Sequence, residues 1–361
     1  MNSCDVVIVG AGPGGATLGY ELSRRGVKTL VLEREALPRD KTCAGGITTR
    51  TARSIGFDLS PVIEKTACGI SFSYRTGSSF VKLSGQPFIH TVIRSRFDHF
   101  LVQKAQEAGA TVIDGTSVEG FASNGSRTEV RTSSGTYDSS IVVGADGARS
   151  TVARSAGLMR GVSLDLALEA RVPFTDKLTE VDSMIWIDLG QIPGGYGWVF
   201  PKRDHLSIGV GASARYSRQL RPHLDRILNH FGVDSEVKVM GHLLPIRGKG
   251  MSIQRGNTLL LGDAAGLIHP FTREGIFYAV RSAQLAAPVI ERALGCGTID
   301  LSDYQRAVDA QLMPSIDMGR ALLRIFTQSP RLCFGMVKHS DWLWDYVCRA
   351  LFWVKPGRVS G

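Results

Sequence analysis

The sequence predicts an α/β chain in three parts: a parallel-sheet domain assembled from separated segments, an antiparallel-sheet domain inserted into it, and C-terminal helices. Three observations predict this. Apolar runs that end abruptly in glycine turns recur at residues 6–9, 141–143 and 258–261, the pattern of strands buried on both faces. From residue 164 to 243 the pattern changes to longer alternating strands, as in an antiparallel sheet with one face free to cover a ligand. Residues 300–354 carry amphipathic helical spacing, interrupted near Pro314 and Pro330. The expected boundaries are 1–60, 91–160 and 250–295 for the first domain, 61–90 and 161–249 for the second, and 296–361 for the helices.

Composition narrows the functional classes. A chain of 361 residues with 43% hydrophobic content can bury a large core, and its 41 glycines fit a loop-rich α/β enzyme better than a fibrous or disordered protein. The formal charge of +9 favours an anionic partner: a phosphorylated cofactor, an anionic substrate or an acidic membrane surface. Nucleic acid is not expected, because the basic residues are scattered and no Lys/Arg block carries interleaved aromatics. The six cysteines form no C-x-x-C pair, so neither a disulfide framework nor a zinc site is expected and a reducing, cytoplasmic setting is. No signal peptide is expected, since the first strand begins at once, and no uninterrupted apolar run reaches membrane-spanning length.

The opening segment organises the rest. Val6-Val7-Ile8-Val9-Gly10-Ala11-Gly12-Pro13-Gly14-Gly15 reads as a buried strand feeding a helix. Gly10 permits the tight turn, Gly12 lets a pyrophosphate approach the backbone, and Gly15 lets the helix pack against the strand. The helix N-terminus offers free N–H groups and a partial positive charge to an anion. A second strand at 28–32 ends in Glu33, close to the roughly 20-residue spacing at which an acid meets the ribose hydroxyls of a dinucleotide. Strand, turn, helix, strand and acid in register predict dinucleotide binding; an ordinary βαβ turn is the alternative.

A polar, glycine-rich loop follows, Pro38-Arg39-Asp40-Lys41-Thr42-Cys43-Ala44-Gly45-Gly46-Ile47, leading to a short helix near 51–55. Adjacent glycines suggest a backbone passing close to something flat or bulky. Cys43 is either an inert small core residue, the preferred reading on residues alone, or a neighbour of a cofactor. Residues 69–83 read as a β-hairpin turning at Thr76-Gly77-Ser78. Beyond Ile93 a helix opens with Ser95 as N-cap and Asp98 at its third position; Arg96 is either solvated there or reaches back to an anionic cofactor. Short strands at 111–113, 117–122, 128–132 and 136–138 form a meander into a second buried strand. That strand ends in Gly144-Ala145-Asp146-Gly147, a second place where backbone can meet phosphate.

In the second domain the expected strands are 167–172, 184–189, 196–200 and 205–210. Tyr196, Trp198 and Phe200 share one face by period-2 spacing, either as core or as an aromatic wall for an apolar substrate. The third buried strand ends in Gly262-Asp263-Ala264-Ala265-Gly266, where an acid suits a sugar or polyol hydroxyl, and a long helix runs from Glu274 to about residue 293. Near the C-terminus Trp342, Trp344, Phe352 and Trp353 accompany Lys338, Arg349, Lys355 and Arg358. This segment either rests on an anionic membrane or packs as an ordinary helix.

Taken together, Gly10-Ala11-Gly12-Pro13-Gly14-Gly15 with Glu33, Arg96, Gly144-Ala145-Asp146-Gly147 and Gly262-Asp263 resemble the flavoprotein family typified by aromatic hydroxylases, which binds FAD in extended form. The narrower resemblance is to geranylgeranyl reductases. It rests on Lys41-Thr42-Cys43-Ala44-Gly45-Gly46 and on a P-x-x-Y-x-W-x-F-P signature matched by Pro193, Tyr196, Trp198, Phe200 and Pro201. The resemblance implies an FAD-binding Rossmann-like domain. Gly10, Gly12 and Gly15 would take the pyrophosphate, Glu33 with its neighbour Arg34 the adenosine ribose, and Arg96 the ribityl and phosphate region. Val118 would offer backbone groups to adenine, Asp263 would hold the ribityl chain, and the N–H groups of Gly275 and Ile276 would face the flavin ring. Asp146 and Gly147 resemble the motif that couples FAD to a nicotinamide donor. Cys43, Ala44 and Gly46 would lie at the cofactor, with the proton donor either Cys43 or an ordered water, while Tyr196, Trp198 and Phe200 flank the prenyl chain. Two departures stand out: Arg273 occupies a position where the family commonly has glycine, and Ala44 replaces a frequent glycine after the cysteine.

The implied activity is an FAD-dependent reductase, fed by NADPH or ferredoxin, that saturates C=C bonds of a geranylgeranyl or related isoprenoid chain in lipid biosynthesis. The substrate would be a prenyl diphosphate, a prenylated lipid or a quinone, and contact with the inner face of an anionic membrane would be peripheral. The rival readings are a flavin monooxygenase or halogenase, and a non-catalytic prenyl-binding escort. Halogenases typically show W-x-W-x-I-P where this chain has Tyr196-Gly197-Trp198-Val199-Phe200-Pro201. Escorts need not keep the Asp146 and Asp263 motifs, and this chain has both.

Overall fold

In the computed structural model, which describes residues 2–124, 127–174, 184–233 and 236–352, the three apolar runs do become neighbours in one sheet. The chain forms two compact units. The first comprises residues 1–40, 95–163 and 244–319. Its strands lie in the order 254–255, 258–260, 135–144, 2–9, 29–32 and 111–113, with 118–124 and 127–132 added beside 135–144. From 258–260 to 111–113 every pairing is parallel. Val6, Val7, Ile8, Ile141 and Val143 are fully buried, each such side chain contributing roughly 1.5–3 kcal/mol by leaving water. Helices Pro13–Ser23 and Ile276–Gly295 flank the sheet and pack closely: a Cβ on Gly14 would sit 3.3 Å from the Ala279 carbonyl oxygen.

Three local expectations are corrected here. Residues 111–113 are not part of the meander but pair in parallel with 29–32. Residues 136–138 and 140–144 form one strand, Gly135–Gly144. Helix Arg94–Glu107 starts one residue before Ser95, so Ser95 is not its cap, and Asp98 is occupied by an arginine instead.

The second unit comprises residues 41–94, 164–243 and 320–361. Its seven-stranded sheet runs 239–246, 163–173, 205–213, 196–201, 185–189, 69–74 and 79–83; the pairs from 163–173 to 185–189 and the pair of 69–74 with 79–83 are antiparallel, and Gly69–Tyr74 runs parallel to Ile185–Leu189. One face packs against a helix not anticipated from the sequence, Ser217–His230, whose Leu220, Leu224, Ile227 and Leu228 are fully buried with Val199, Ile208 and Val210. Period-2 alternation puts Tyr196, Trp198 and Phe200 on the other face. Asp188, fully buried, accepts hydrogen bonds from Ser73 Oγ (2.5 Å) and the Thr76 amide (2.7 Å) and lies 2.9 Å from His223 Nε2, tying the hairpin turn to the central strands and the helix. The serine meets the carboxylate rather than the histidine, so this is a structural clasp and not a nucleophile–base arrangement. A small sheet of Gly46–Thr48, Ile89–Val92 and Ile63–Ala67 completes the unit with the helices Pro330–His339 and Asp341–Val347.

The expected 296–361 segment is therefore divided: residues to 319 belong to the first unit and those from 320 to the second. Likewise the Cys43 loop, expected within the first domain, belongs to the second unit. No helix among the described residues is long and apolar enough to cross a membrane.

Candidate cofactor-binding site

In the first unit the parallel strands end together at Val9, Leu32, Gly144 and Leu260, and each end leads into a motif singled out in the sequence. Ligands of open parallel sheets bind at this carboxyl edge. Gly10 has φ +101°, and a Cβ there would overlap the Ala145 carbonyl; one on Gly15 would overlap the carbonyl of Gly10. The turn is thus closed to side chains on its inner side. On its outer side it is open, because a Cβ on Gly12 would meet only a guanidinium nitrogen of Arg39, 3.6 Å away. Helix Pro13–Ser23 has no side-chain cap at Gly12, so its first-turn amides remain available to an anion.

Glu33 is nearly fully buried and its oxygens accept from the Ala11 amide (3.0 Å) and the Glu35 amide (3.3 Å). Arg39, which the sequence reading passed over as a loop residue, bridges two carboxylates: Nε lies 3.0 Å from Glu33 Oε2 and Nη1 3.1 Å from Asp98 Oδ2. This buried network fixes the acid beside the glycine turn. A carboxylate has about four lone-pair positions, so Glu33 retains capacity for sugar hydroxyls.

Asp146 Oδ2 accepts from the amides of Thr151 (2.6 Å) and Val152 (3.2 Å), capping the short helix that follows. Its Oδ1 is buried and makes no hydrogen bond among the described residues, and burial pushes the carboxyl above its usual range. The backbone at Gly147 has φ +77° and open space around it. Asp263 and Gly275 come together: a Cβ on Gly275 would stand 3.2 Å from Asp263 Oδ1. Gly275 precedes helix Ile276–Gly295 and supplies no side-chain cap, so the Ile276 end presents free N–H groups. Val118 opens a strand whose pairing with 127–132 shifts register at Arg131/Thr132, which takes backbone groups off the ladder there. Two cations expected at the cofactor are exposed. Arg34 is 74% exposed and pairs with Glu35, and Arg96 is exposed while Arg94, two residues earlier, is buried.

In the second unit the Cys43 loop is enclosed by side chains from distant strands. Gly45 has φ +66°, with no room for a Cβ beside the Val92 carbonyl, and its amide donates to Cys43 Sγ (3.4 Å). A Cβ on Gly46 would come within 2.5 Å of the Phe200 ring, and Lys202 Nζ donates to the Ala44 carbonyl at 2.7 Å. Gly209 leaves the space that the Trp198 indole fills. Trp198 is 7% exposed, and its Nε1 has no hydrogen-bond partner among the described residues. Tyr196 lies beside it, ring centroids 6.0 Å apart.

An open-sided glycine turn, two uncapped helix N-termini, a buried acid beside the first and an orphaned carboxylate oxygen are together what an extended FAD requires: two anionic phosphates, a ribose and a polyol. Residues 3–294 match the protein family described as an FAD binding domain. A digeranylgeranylglycerophospholipid reductase of Methanopyrus kandleri is 32% identical, over 80% of this chain and 81% of that protein. A menaquinone reductase of Mycobacterium tuberculosis is 30% identical, over 80% and 77%. The chain belongs to the geranylgeranyl reductase family of FAD-dependent oxidoreductases. A geranylgeranyl bacteriochlorophyll reductase-like protein of Thermoplasma acidophilum shares the fold, with a TM-score of 0.80 at 24% identity over 91% of this chain and 88% of that one.

Against that family pattern the Arg273 departure acquires a physical meaning. Arg273 has φ +56°, the left-handed region that glycine enters without cost, so the backbone here keeps the conformation of a glycine position. The loop survives because it is knit around a buried residue the sequence reading missed, His269. His269 Nδ1 accepts from the Thr272 amide (3.1 Å), its carbonyl from the Arg273 amide (2.8 Å), and its ring lies over Tyr278. No sequence motif marked His269; its role follows from a 0% exposure that spacing alone does not reveal.

Proposed function

We propose that this protein is an FAD-dependent reductase that hydrogenates C=C bonds in a geranylgeranyl or related isoprenoid chain, with NADPH or reduced ferredoxin as electron donor. The observation that carries this reading is the strand Tyr196–Pro201. Three aromatics occupy one face, and Gly46 and Gly209 are cleared of side chains to seat Phe200 and Trp198. Such a wall suits a long apolar chain and supplies few polar groups to anything else. The relatives' names support the class of substrate and divide on its head group, one a glycerophospholipid and one a quinone.

Bound FAD supplies the hydride chemistry. The chain's own residues do the positioning: the Gly12–Gly15 turn and first helix hold the pyrophosphate, Glu33 the adenosine ribose, Asp263 the ribityl chain, and the Gly275 and Ile276 amides the flavin ring. Asp146 and Gly147 serve the approach of the electron donor. Val118 offers backbone groups to adenine. An isolated alkene is a poor hydride acceptor, so the aromatic face must hold it in register while a proton is delivered to its other carbon; Cys43 Sγ is the candidate group to hold that proton. Leu332, Met336, Trp342 and Tyr346 are exposed on the second unit near Lys338 and Arg349, which suits peripheral contact with an anionic membrane carrying such lipids. Trp353, Lys355 and Arg358, counted with them from the sequence, lie outside the described residues.

The test is turnover with a panel of prenyl diphosphates, prenylated glycerolipids and prenylated quinones, read by product mass. Gain of multiples of two hydrogens on the isoprenoid chain is expected. Products carrying oxygen or halogen would replace this reading with the monooxygenase or halogenase one, and a colourless protein that takes up no flavin would remove both enzyme readings.

A further inference from the structure

A buried charge cluster in the second unit is not used by any role assigned above. Lys202 follows the aromatic strand and is 2% exposed; Glu169, on strand Ser163–Pro173, is 1% exposed. Burying a lysine and a glutamate is costly unless each is tied to fixed partners, and here both converge on the same loop. Lys202 Nζ donates to the Ala44 carbonyl (2.7 Å) and stands 3.0 Å from where a Cβ on Gly45 would lie. Glu169 Oε1 accepts from Ser207 Oγ (3.0 Å), with Arg171 Nε at 4.0 Å, and the carboxylate feels the Cys43 backbone amide. Its Oε2 is buried and makes no hydrogen bond among the described residues.

We propose that Lys202 is a positioning residue: its ammonium, balanced by Glu169, clamps the Ala44 carbonyl and so sets the conformation in which the loop presents Cys43. The turn needs such a clamp. Gly45 is left-handed, Gly46 abuts Phe200, and the loop is gripped on one side by the Val92 amide on the Gly45 carbonyl and on the other by Lys202 on the Ala44 carbonyl. A charge-assisted bond is roughly twice as strong as a neutral one, so the clamp depends on the proton that Lys202 carries. The groups that bear on Lys202 are Glu169 and Arg171 from one strand, Glu64 from Ile63–Ala67, and the Cys43 thiol. Burial pushes Lys202 down to about 8, against the pull of Cys43, Glu169 and Glu64. In the folded protein the clamp is therefore fully charged well below pH 8, half charged near it, and lost as pH rises further. Only the consequence for catalysis rests on the proposed function; the clamp itself does not.

The experiment is amide hydrogen exchange of the segment 41–47 in the FAD-loaded protein at pH 6.5 and 9, corrected for intrinsic exchange, in the wild type, Lys202→Met and Lys202→Arg. Wild-type protection should fall by about tenfold between the two pH values, following the loss of the ammonium. Lys202→Arg should stay protected at both, since a guanidinium keeps its charge, and Lys202→Met should be unprotected at both. Cys43→Ser should retain the pH dependence, which separates Lys202 from the thiol. Wild-type protection that does not change with pH, or a Lys202→Met loop as protected as the wild type, overturns the proposal. Should Lys202→Met fail to fold, the wild-type and Lys202→Arg pH series decide it alone. A protein that passes this test but reduces no isoprenoid would contradict the proposed function and leave the clamp standing.

Discussion

Two glycine-bearing turns of this chain solve opposite problems. The Gly10–Gly15 turn is closed on its inner side by its own neighbours and open on its outer side, with helix amides at the opening. The Cys43–Gly46 loop is enclosed by Phe200, Val92 and Lys202, brought from strands far away in the chain. The first is a cradle made by local backbone geometry; the second is a loop whose shape depends on tertiary partners. Changes in the first unit should therefore remove the flavin, and changes around the aromatic strand of the second should remove turnover while the flavin stays.

The largest expected effect is at Arg39. Arg39→Met removes the guanidinium that bridges the buried Glu33 and Asp98 carboxylates, a change that costs about 3–5 kcal/mol. Denaturant unfolding should register that loss together with loss of bound flavin, and retention of flavin at wild-type affinity would break the contrast. Next, Trp198→Ala opens a cavity where the indole now covers Gly209, at about 3 kcal/mol. Flavin content should persist and isoprenoid turnover should drop by at least about tenfold; loss of flavin instead would make that strand structural for the whole protein. Gly15→Ala forces a Cβ into the Gly10 carbonyl and should cost about 1–3 kcal/mol, whereas Gly12→Ala should melt like the wild type and only weaken FAD. Equal melting temperatures for the two variants would contradict the closed-inside, open-outside description. Smallest is Arg273→Gly, which removes a left-handed arginine worth about 1 kcal/mol, so the melting temperature should rise by roughly 2 °C; a fall would show that the arginine side chain contributes more than the strain.

What was legible in the sequence follows the same division. The first cradle was readable because its strand, glycines, helix and Glu33 lie within one βαβ unit, where spacing along the chain equals placement in space. The Asp263 and Gly275 pair was reachable through resemblance, and the structure brings the two residues together. Arg39 and Lys202 were not legible: each is an ordinary cation in sequence, and its importance lies in a partner 59 or 158 residues away. Helix Ser217–His230 does leave a signal in Leu220, Leu224, Ile227 and Leu228, but Pro222 reads as a breaker, and the helix carries it inside its second turn because the buried leucine and isoleucine face outweighs the lost hydrogen bond. The start of helix Arg94–Glu107 was not legible either: Ser95 reads as an N-cap, but the helix begins at Arg94, and Arg94 is buried while Arg96 is exposed.

The central claim, that this flavoprotein reduces isoprenoid double bonds, is tested most directly by reoxidation of the reduced protein under strict exclusion of oxygen. Adding a geranylgeranylated lipid or diphosphate should reoxidise the flavin, with product heavier by two hydrogens per flavin turnover. A flavin that stays reduced with every isoprenoid offered and reoxidises only when oxygen is admitted would contradict the account.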